Sequence, residues 1–375
     1  MGILVYFLTR NERNIIMEKK ADVIALYLPQ YHPTPENDMW YGKGFTEWTN
    51  VAKAKPLFPG HYQPHIPADL GFYDLRLPEV RHAQASLAAE HGVSAFCFWN
   101  YWFGEGKKIL ERPIWDAYND KSYKFPFCIG WANSSWYNKM WDAKKSNELL
   151  LEQKYLGEED YQNYFDYLLP LFMDDRYYRV EGKLLFVVYQ PTADAQIKNF
   201  IQSWRELAQK NNLGGFYFVG HDFNCRGREN IMSMGFDAVY DDNMLAIHTD
   251  ETKITKALQM AGRKLFNLPT IFDYRKAIDH MILPEDQEED VIPVIVPNWD
   301  HSPRTGRNAF IFTHCTPDAF ELLVQKAVIS VSSKKESKRL IFLKSWNEWG
   351  EGNHMEPDLK YGMGYLEALK RAIIE

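Results

Sequence analysis

The chain holds 375 residues, of which 46% are apolar, 25% charged and 15% aromatic, which excludes disordered and collagen-like classes and supplies core for one large domain or two smaller ones. Lysine plus arginine number 43 against 50 aspartate plus glutamate, a net charge of −7 at a pI near 5.9, so the global field disfavours nucleic acid and anionic lipid surfaces as partners. The first apolar run, residues 3–8, falls far short of the roughly 18 residues that cross a bilayer, and no integral membrane segment is expected.

Residues 1–20 read as an N-terminal tail. Their apolar block precedes Arg10 and Arg13, the reverse of a secretory signal, and Met17 offers a second start just before Lys19-Lys20, so a cytoplasmic location is expected. A strand pattern at 23–28 opens the domain proper, residues 21–375, and exits into Pro29-Gln30-Tyr31-His32. More than 40 residues then pass before the helical pattern at 77–91, against a usual connection of roughly 2 to 6. That connection carries Trp40, Phe45, Trp48, Phe58 and Tyr62 among glycines and prolines, which predicts an ordered lid or cleft wall. A strand at 93–99 exits into Asn100-Tyr101-Trp102, and one at 125–130 into Trp131-Ala132-Asn133. After a helix at 158–174 comes a strand at 184–189 ending at Gln190; after a helix at 195–211 come strands at 216–220 and 238–240, ending at His221-Asp222 and Asp241-Asp242-Asn243. A strand at 291–296 leads to Asn298-Trp299-Asp300, a helix follows at 317–331, and a strand at 340–345 leads to Trp346-Asn347-Glu348-Trp349 before a last helix at 361–374. Strands apolar on both faces, alternating with helices, predict an α/β fold: a single (β/α)8 TIM barrel with a long ordered loop after its first strand.

Active sites of such barrels lie at the strands' C-terminal ends, and here those ends are polar and rich in tryptophan. Behind the last strand, Glu348 and Glu351 stand three apart in Trp346-Asn347-Glu348-Trp349-Gly350-Glu351-Gly352. In a helical turn that spacing sets their Cβ atoms roughly 5 to 6 Å apart, close enough for a carboxyl pair to divide acid and base work on one glycosidic bond. Spacing alone fits equally a solvated acidic loop that turns on its glycines; the flanking tryptophans favour sugar, because an aromatic face covers the C–H face of a pyranose while amides and carboxylates reach its hydroxyls. The candidate substrate contacts are Tyr31, His32, Glu47, Trp48, Tyr101, Trp102, Trp131, Asn133, Trp136, His221, Trp299, Asp300, Asn347 and Trp349.

Other chemistries find less support. His61 and His65 have the spacing of a zinc helix, but Gly60 and the prolines at 59, 64 and 67 break any helix there and no H-E-x-x-H occurs, so no metal and no cofactor are expected. The Asp pairs at 174-175 and 241-242 are explained by a helix end and a strand exit. Phosphate-loop, dinucleotide and G-x-S-x-G patterns are absent. Cys97, Cys128, Cys225 and Cys315 are too dispersed for a disulfide scaffold, and the first two fall in apolar strands as core thiols. Lys334, Lys335, Lys338 and Arg339 read as a solvated loop.

Several longer segments resemble a known family. Leu28-Pro29-Gln30-Tyr31-His32, Gly42-Lys43-Gly44-Phe45-Thr46-Glu47-Trp48, the Gly-His-Tyr-Gln-Pro-His run within 57–75, and residues 346–357 are similar to the WbsX-like family, described as glycosyltransferases of bacterial polysaccharide and lipopolysaccharide gene clusters and related to glycoside hydrolase family 99, the endo-α-mannosidases. The likeness spans about 22–375. It implies a (β/α)8 barrel acting with retention on an α-linked, mannose-type oligosaccharide or polysaccharide. Glu348, by position, would be the base on the sugar 2-hydroxyl, and Glu351 the general acid/base. Two positions depart: Trp131-Ala132-Asn133-Ser134-Ser135-Trp136 stands where the family often has Trp-Ala-Asn-Glu-Asn-Trp, and Gly350 where the hydrolases carry histidine. The alternatives are a glycosyltransferase of surface-polysaccharide synthesis and a sugar-binding barrel without catalysis.

Overall fold

A computed structural model describes residues 19–138, 148–223 and 227–374. Cys225 and all of the expected tail except Lys19 and Lys20 lie outside the described residues. Eight parallel strands carry the fold: β1 (Asp22–Tyr27), β2 (Val93–Trp102), β3 (Phe127–Trp131), β4 (Lys183–Val188), β5 (Phe216–His221), β6 (Ala238–Asp241), β7 (Val291–Ile295) and β8 (Leu340–Leu343). Each pairs with its successor. Pairing of β8 back to β1, Asp22 opposite Leu340 through Ala25 opposite Leu343, closes the sheet into a barrel. Closure leaves no sheet edge and buries each strand on two faces, which is why the strands read as unbroken apolar runs rather than alternating ones.

The outer helices start where the sequence provides caps. Thr316 accepts a hydrogen bond from the Ala319 amide at 3.2 Å and Pro317 takes the first turn of the Pro317–Val331 helix; Thr34 and Pro35 do the same for Pro35–Tyr41. Between sheet and helices lies an aromatic core in which Trp204 packs on Phe186, Phe200 and Phe216, all with no or almost no exposure. Cys97 and Cys128 are buried in it. Lys20 donates its amide to Ile373 O at 3.0 Å and its Nζ to Ala372 O at 3.1 Å, tying the start of the described chain to its last helix, Gly364–Ile374.

Three details differ from the sequence expectation. β2 does not stop at residue 99: Asn100, Tyr101 and Trp102 continue it and pair antiparallel with Lys108–Ile109, as suits aromatic residues on a half-buried pleat. A small parallel pair, Thr270–Asp273 with Phe310–Thr313, stands outside the barrel. Lys334 is not solvated: its stem is buried and its ammonium donates to Val291 O, and burial pulls its pKa down to about 8, so only its neighbours fit the solvated-loop reading.

Candidate active site

The long connection after β1 is ordered and contains two short helices, Pro35–Tyr41 and Glu47–Lys53. Together with the strand exits it walls a cavity of about 270 Å³ over the C-terminal ends of the strands. Trp99, Tyr101, Trp136 and Tyr137 form one aromatic side, Tyr41 and Phe45 from the loop another, and Tyr189, His221 and Trp299 face them.

Glu348 and Glu351 enter this cavity on a hairpin. Asn347–Glu348 pairs antiparallel with Asn353–His354; the turn between is one 3-10 turn, Trp349–Glu351, closed by Gly352 at φ 74°, a backbone conformation that costs glycine little. The hairpin is strapped from behind. Asn347 accepts from the Leu28 amide at 2.8 Å and donates to Leu28 O at 3.0 Å, while Tyr31 donates its hydroxyl to Asn347 O at 2.5 Å. Trp349 donates its indole N–H to Glu356 at 2.7 Å, and Gln84 and Tyr73 donate to the same carboxyl.

A group that sequence reasoning missed sits at the centre. Arg304, on the short Ser302–Thr305 helix after β7, donates Nη2 to Glu348 at 2.5 Å, Nη1 to Glu351 at 2.6 Å and Nε to Glu47 at 2.8 Å. One positive charge thus serves three carboxylates. Burial, joined by the charges of Glu351 and Glu47, pushes Glu348 up to about 8 against the downward pull of Arg304. Gly350 is required by this arrangement, because a Cβ there would stand 1.9 Å from Glu47 Oε1 and 2.9 Å from Arg304 Nε.

A second cation, Lys344, half-buried like Arg304, follows β8. Its Nζ donates to Asp242 at 2.5 Å and lies 4.8 Å from the Trp299 ring centroid. Burial raises the Asp242 carboxyl, but the charge and the hydrogen bond of Lys344 hold the group below its usual range. His221, stacked on Tyr240, is driven down to about 3 by burial, so it is neutral. Lys344, Tyr189, His221 and Trp299 also border a second cavity of about 770 Å³, lined further by Phe223, Leu245 and His248.

Of the candidate contacts, Glu47, Tyr101, Trp136, His221, Trp299, Glu348 and Glu351 line the first cavity. The others stand behind its wall. Trp48 donates to Tyr73 O, Trp102 to Asp160, and Trp131 to Trp102 O; His32 Nδ1 meets Pro29 O at 3.1 Å; Asn133 binds the Gln190 backbone at both its amide atoms. Tyr31, Asn347 and Trp349 fix the hairpin. Asp300 accepts from Gln63 at 2.6 Å and meets His61 Nε2 at 2.7 Å. Ser134 also lines the cavity. No motif marks Arg304 or Lys344; only their places after β7 and β8 would have pointed to them.

The two histidines of the zinc-like spacing do not converge. His65 Nδ1 instead meets His354 Nε2 at 3.0 Å, and with Asp358 these form, among the described residues, a buried group whose ligand atoms lie within 4.8 Å of one another, a set that can hold a metal ion.

Residues 23–369 match the family described as glycosyltransferase WbsX. The protein called WxcX of Xanthomonas campestris pv. campestris strain B100, described as uncharacterized, is 35% identical over 360 residues, 94% of this chain and 50% of its own length. Its counterpart in strain ATCC 33913 is 34% identical over the same extent. The chain therefore spans about half the length of the curated relatives it matches. Among solved structures, a glycoside hydrolase-like protein superposes with TM-score 0.62 at 16% identity, covering 99% of this chain and 98% of its own. The GH99 endo-alpha-mannosidase from Bacteroides thetaiotaomicron gives 0.55 at 16% identity, covering 93% and 96%. At these identities the likeness speaks for the fold.

Proposed function

This chain belongs to the WbsX glycosyltransferase family, a carbohydrate-active family, and we propose that it processes an α-linked glycan with retention at C1. The observation that carries the reading is the convergence of Glu348 and Glu351 in one aromatic-walled cavity at the C-terminal mouth of the barrel. Bridging of both by the terminal nitrogens of one guanidinium favours the spacing of about 5 Å used by retaining enzymes over the 6.5 to 9.5 Å of inverting ones. In this reading Glu348 takes the proton of the sugar 2-hydroxyl, whose oxygen attacks C1 as the glycosidic C–O bond breaks. Glu351 gives its proton to the leaving oxygen and then receives one from the incoming water or sugar hydroxyl, which opens the 1,2-anhydro ring as Glu348 returns its proton to O2. Arg304 holds the carboxylates in place before the substrate arrives.

Glu348→Gln and Glu351→Gln are each expected to lower turnover of an α-mannan oligosaccharide by at least about 10³-fold with the melting temperature preserved. Unchanged rates in either would end the proposal. A second reading, transfer from an activated sugar donor, is favoured by the description of the family as glycosyltransferases. Products that form only when a sugar nucleotide is added would select it.

A further inference from the structure

The Lys253–Phe266 helix, in the connection between β6 and β7, has none of its residues buried. Its exposure is not that of a polar helix. Ile254, Leu258, Ala261 and Leu265 recur at i, i+4, i+7 and i+11 and so form one stripe. Ile254 is 72%, Leu258 66% and Leu265 75% exposed, and Met260 and Phe266 add 56% and 71%. The helix is attached chiefly through its other side, where Gln259 donates to Ile271 O at 3.3 Å and a Cβ on Gly262 would touch Leu268. Its charged residues are Lys253, Lys256, Arg263 and Lys264, without a single carboxylate, in a chain whose net charge is −7. On the helical wheel Lys253 and Lys264 lie to one side of the apolar stripe, and Lys256 and Arg263 on the face across from it.

We propose that this helix docks on an anionic lipid bilayer, with the stripe inserted at the headgroup boundary, Lys253 and Lys264 beside it at phosphate level, and Lys256 and Arg263 on the water-facing side adding to the attraction. A leucine- and isoleucine-bearing stripe on a helix whose polar face carries only lysine and arginine is the pattern of helices that lie in a membrane interface. A second copy of the chain is a poorer occupant, because pairing two such helices brings like charges together at the rim of the contact. An uncharged apolar partner would leave the cations without a function.

The helix follows directly on the Met244–Asp250 turn, and Met244, Leu245 and His248 of that turn line the larger cavity. Docking therefore brings the turn that lines this cavity close to the lipid surface. If the glycan-processing reading above holds, and this clause rests on it, the substrate is a glycan carried on a membrane lipid.

The test is flotation of the full chain with vesicles of phosphatidylcholine alone and of phosphatidylcholine mixed with phosphatidylglycerol. The anionic vesicles should retain the protein roughly tenfold better, and high salt should weaken this. Leu258→Asp with Leu265→Asp and, separately, Lys253→Glu with Lys264→Glu should each remove about tenfold of that retention at an unchanged melting temperature, since these side chains are exposed. Equal recovery with both vesicles, or retention insensitive to both pairs, overturns the proposal. Self-association in light scattering that Leu258→Asp with Leu265→Asp abolishes, without vesicle binding, would assign the face to a second copy instead. Glu348→Gln should float like the wild type, so a failed glycan-processing reading and a failed docking proposal give different results.

Discussion

Burial first, and after it the charges of Glu351 and Glu47, hold a proton on Glu348 into the neutral range against the pull of Arg304, which three carboxylates share. The sign for activity follows. If Glu348 acts as the base, it must be deprotonated, so kcat/KM should climb as pH rises toward about 8. A pH profile whose acid limb lies near 4.5, where an ordinary glutamate titrates, would remove Glu348 from that role. Gly350 gives a second test at the same scale. Gly350→Ala drives a methyl into Glu47 and Arg304 and should cost about 1 to 3 kcal/mol in urea unfolding and roughly 10- to 100-fold in kcat/KM. Glu47→Ala added to Gly350→Ala should return most of the stability but not the rate; no difference between the single and double variants would refute the steric account. The glutamate pair was legible in the sequence because its members are three residues apart and flanked by tryptophan. Arg304 was not, because it arrives from another strand exit and its role exists only in three dimensions.

The strands were legible for a related reason: each is apolar on both faces, and a closed barrel buries both. The aromatic strand exits were only half legible. Treated as loop residues, Asn100, Tyr101 and Trp102 seem equally available to substrate, but they are strand, and a strand sends alternate side chains to opposite sides. Trp99 and Tyr101 thus face the cavity, whereas Asn100 accepts from Tyr164 at 2.8 Å and Trp102 stacks on the same ring among the helices. Next door, β3 repeats the division. Trp131 turns to Phe200 on the helix side, and Gly130 lies under the Trp99 ring, where a Cβ would come within 2.8 Å of it. Gly130→Ala should accordingly destabilise the barrel by about 1 to 3 kcal/mol and displace Trp99 from the cavity wall. Denaturant midpoints and indole fluorescence would read the two effects, and an unshifted midpoint would show that the ring yields freely.

At the scale of the molecule, alternation of strand and helix disclosed one barrel, and the length of the first connection disclosed an ordered wall for its cleft. What stayed hidden was distribution of charge. Net charge averages over a surface, and the −7 total conceals a helix that carries only cations. The two ends of the described chain meet where Lys20 binds the Ile373 and Ala372 carbonyls, at the strands' starting pole, whereas the cleft opens at the finishing one. A barrel joined in this way behaves like a bead threaded through one side. Load applied at the two described ends would therefore fall on that junction of first strand and last helix, with the mouth of the barrel outside its path.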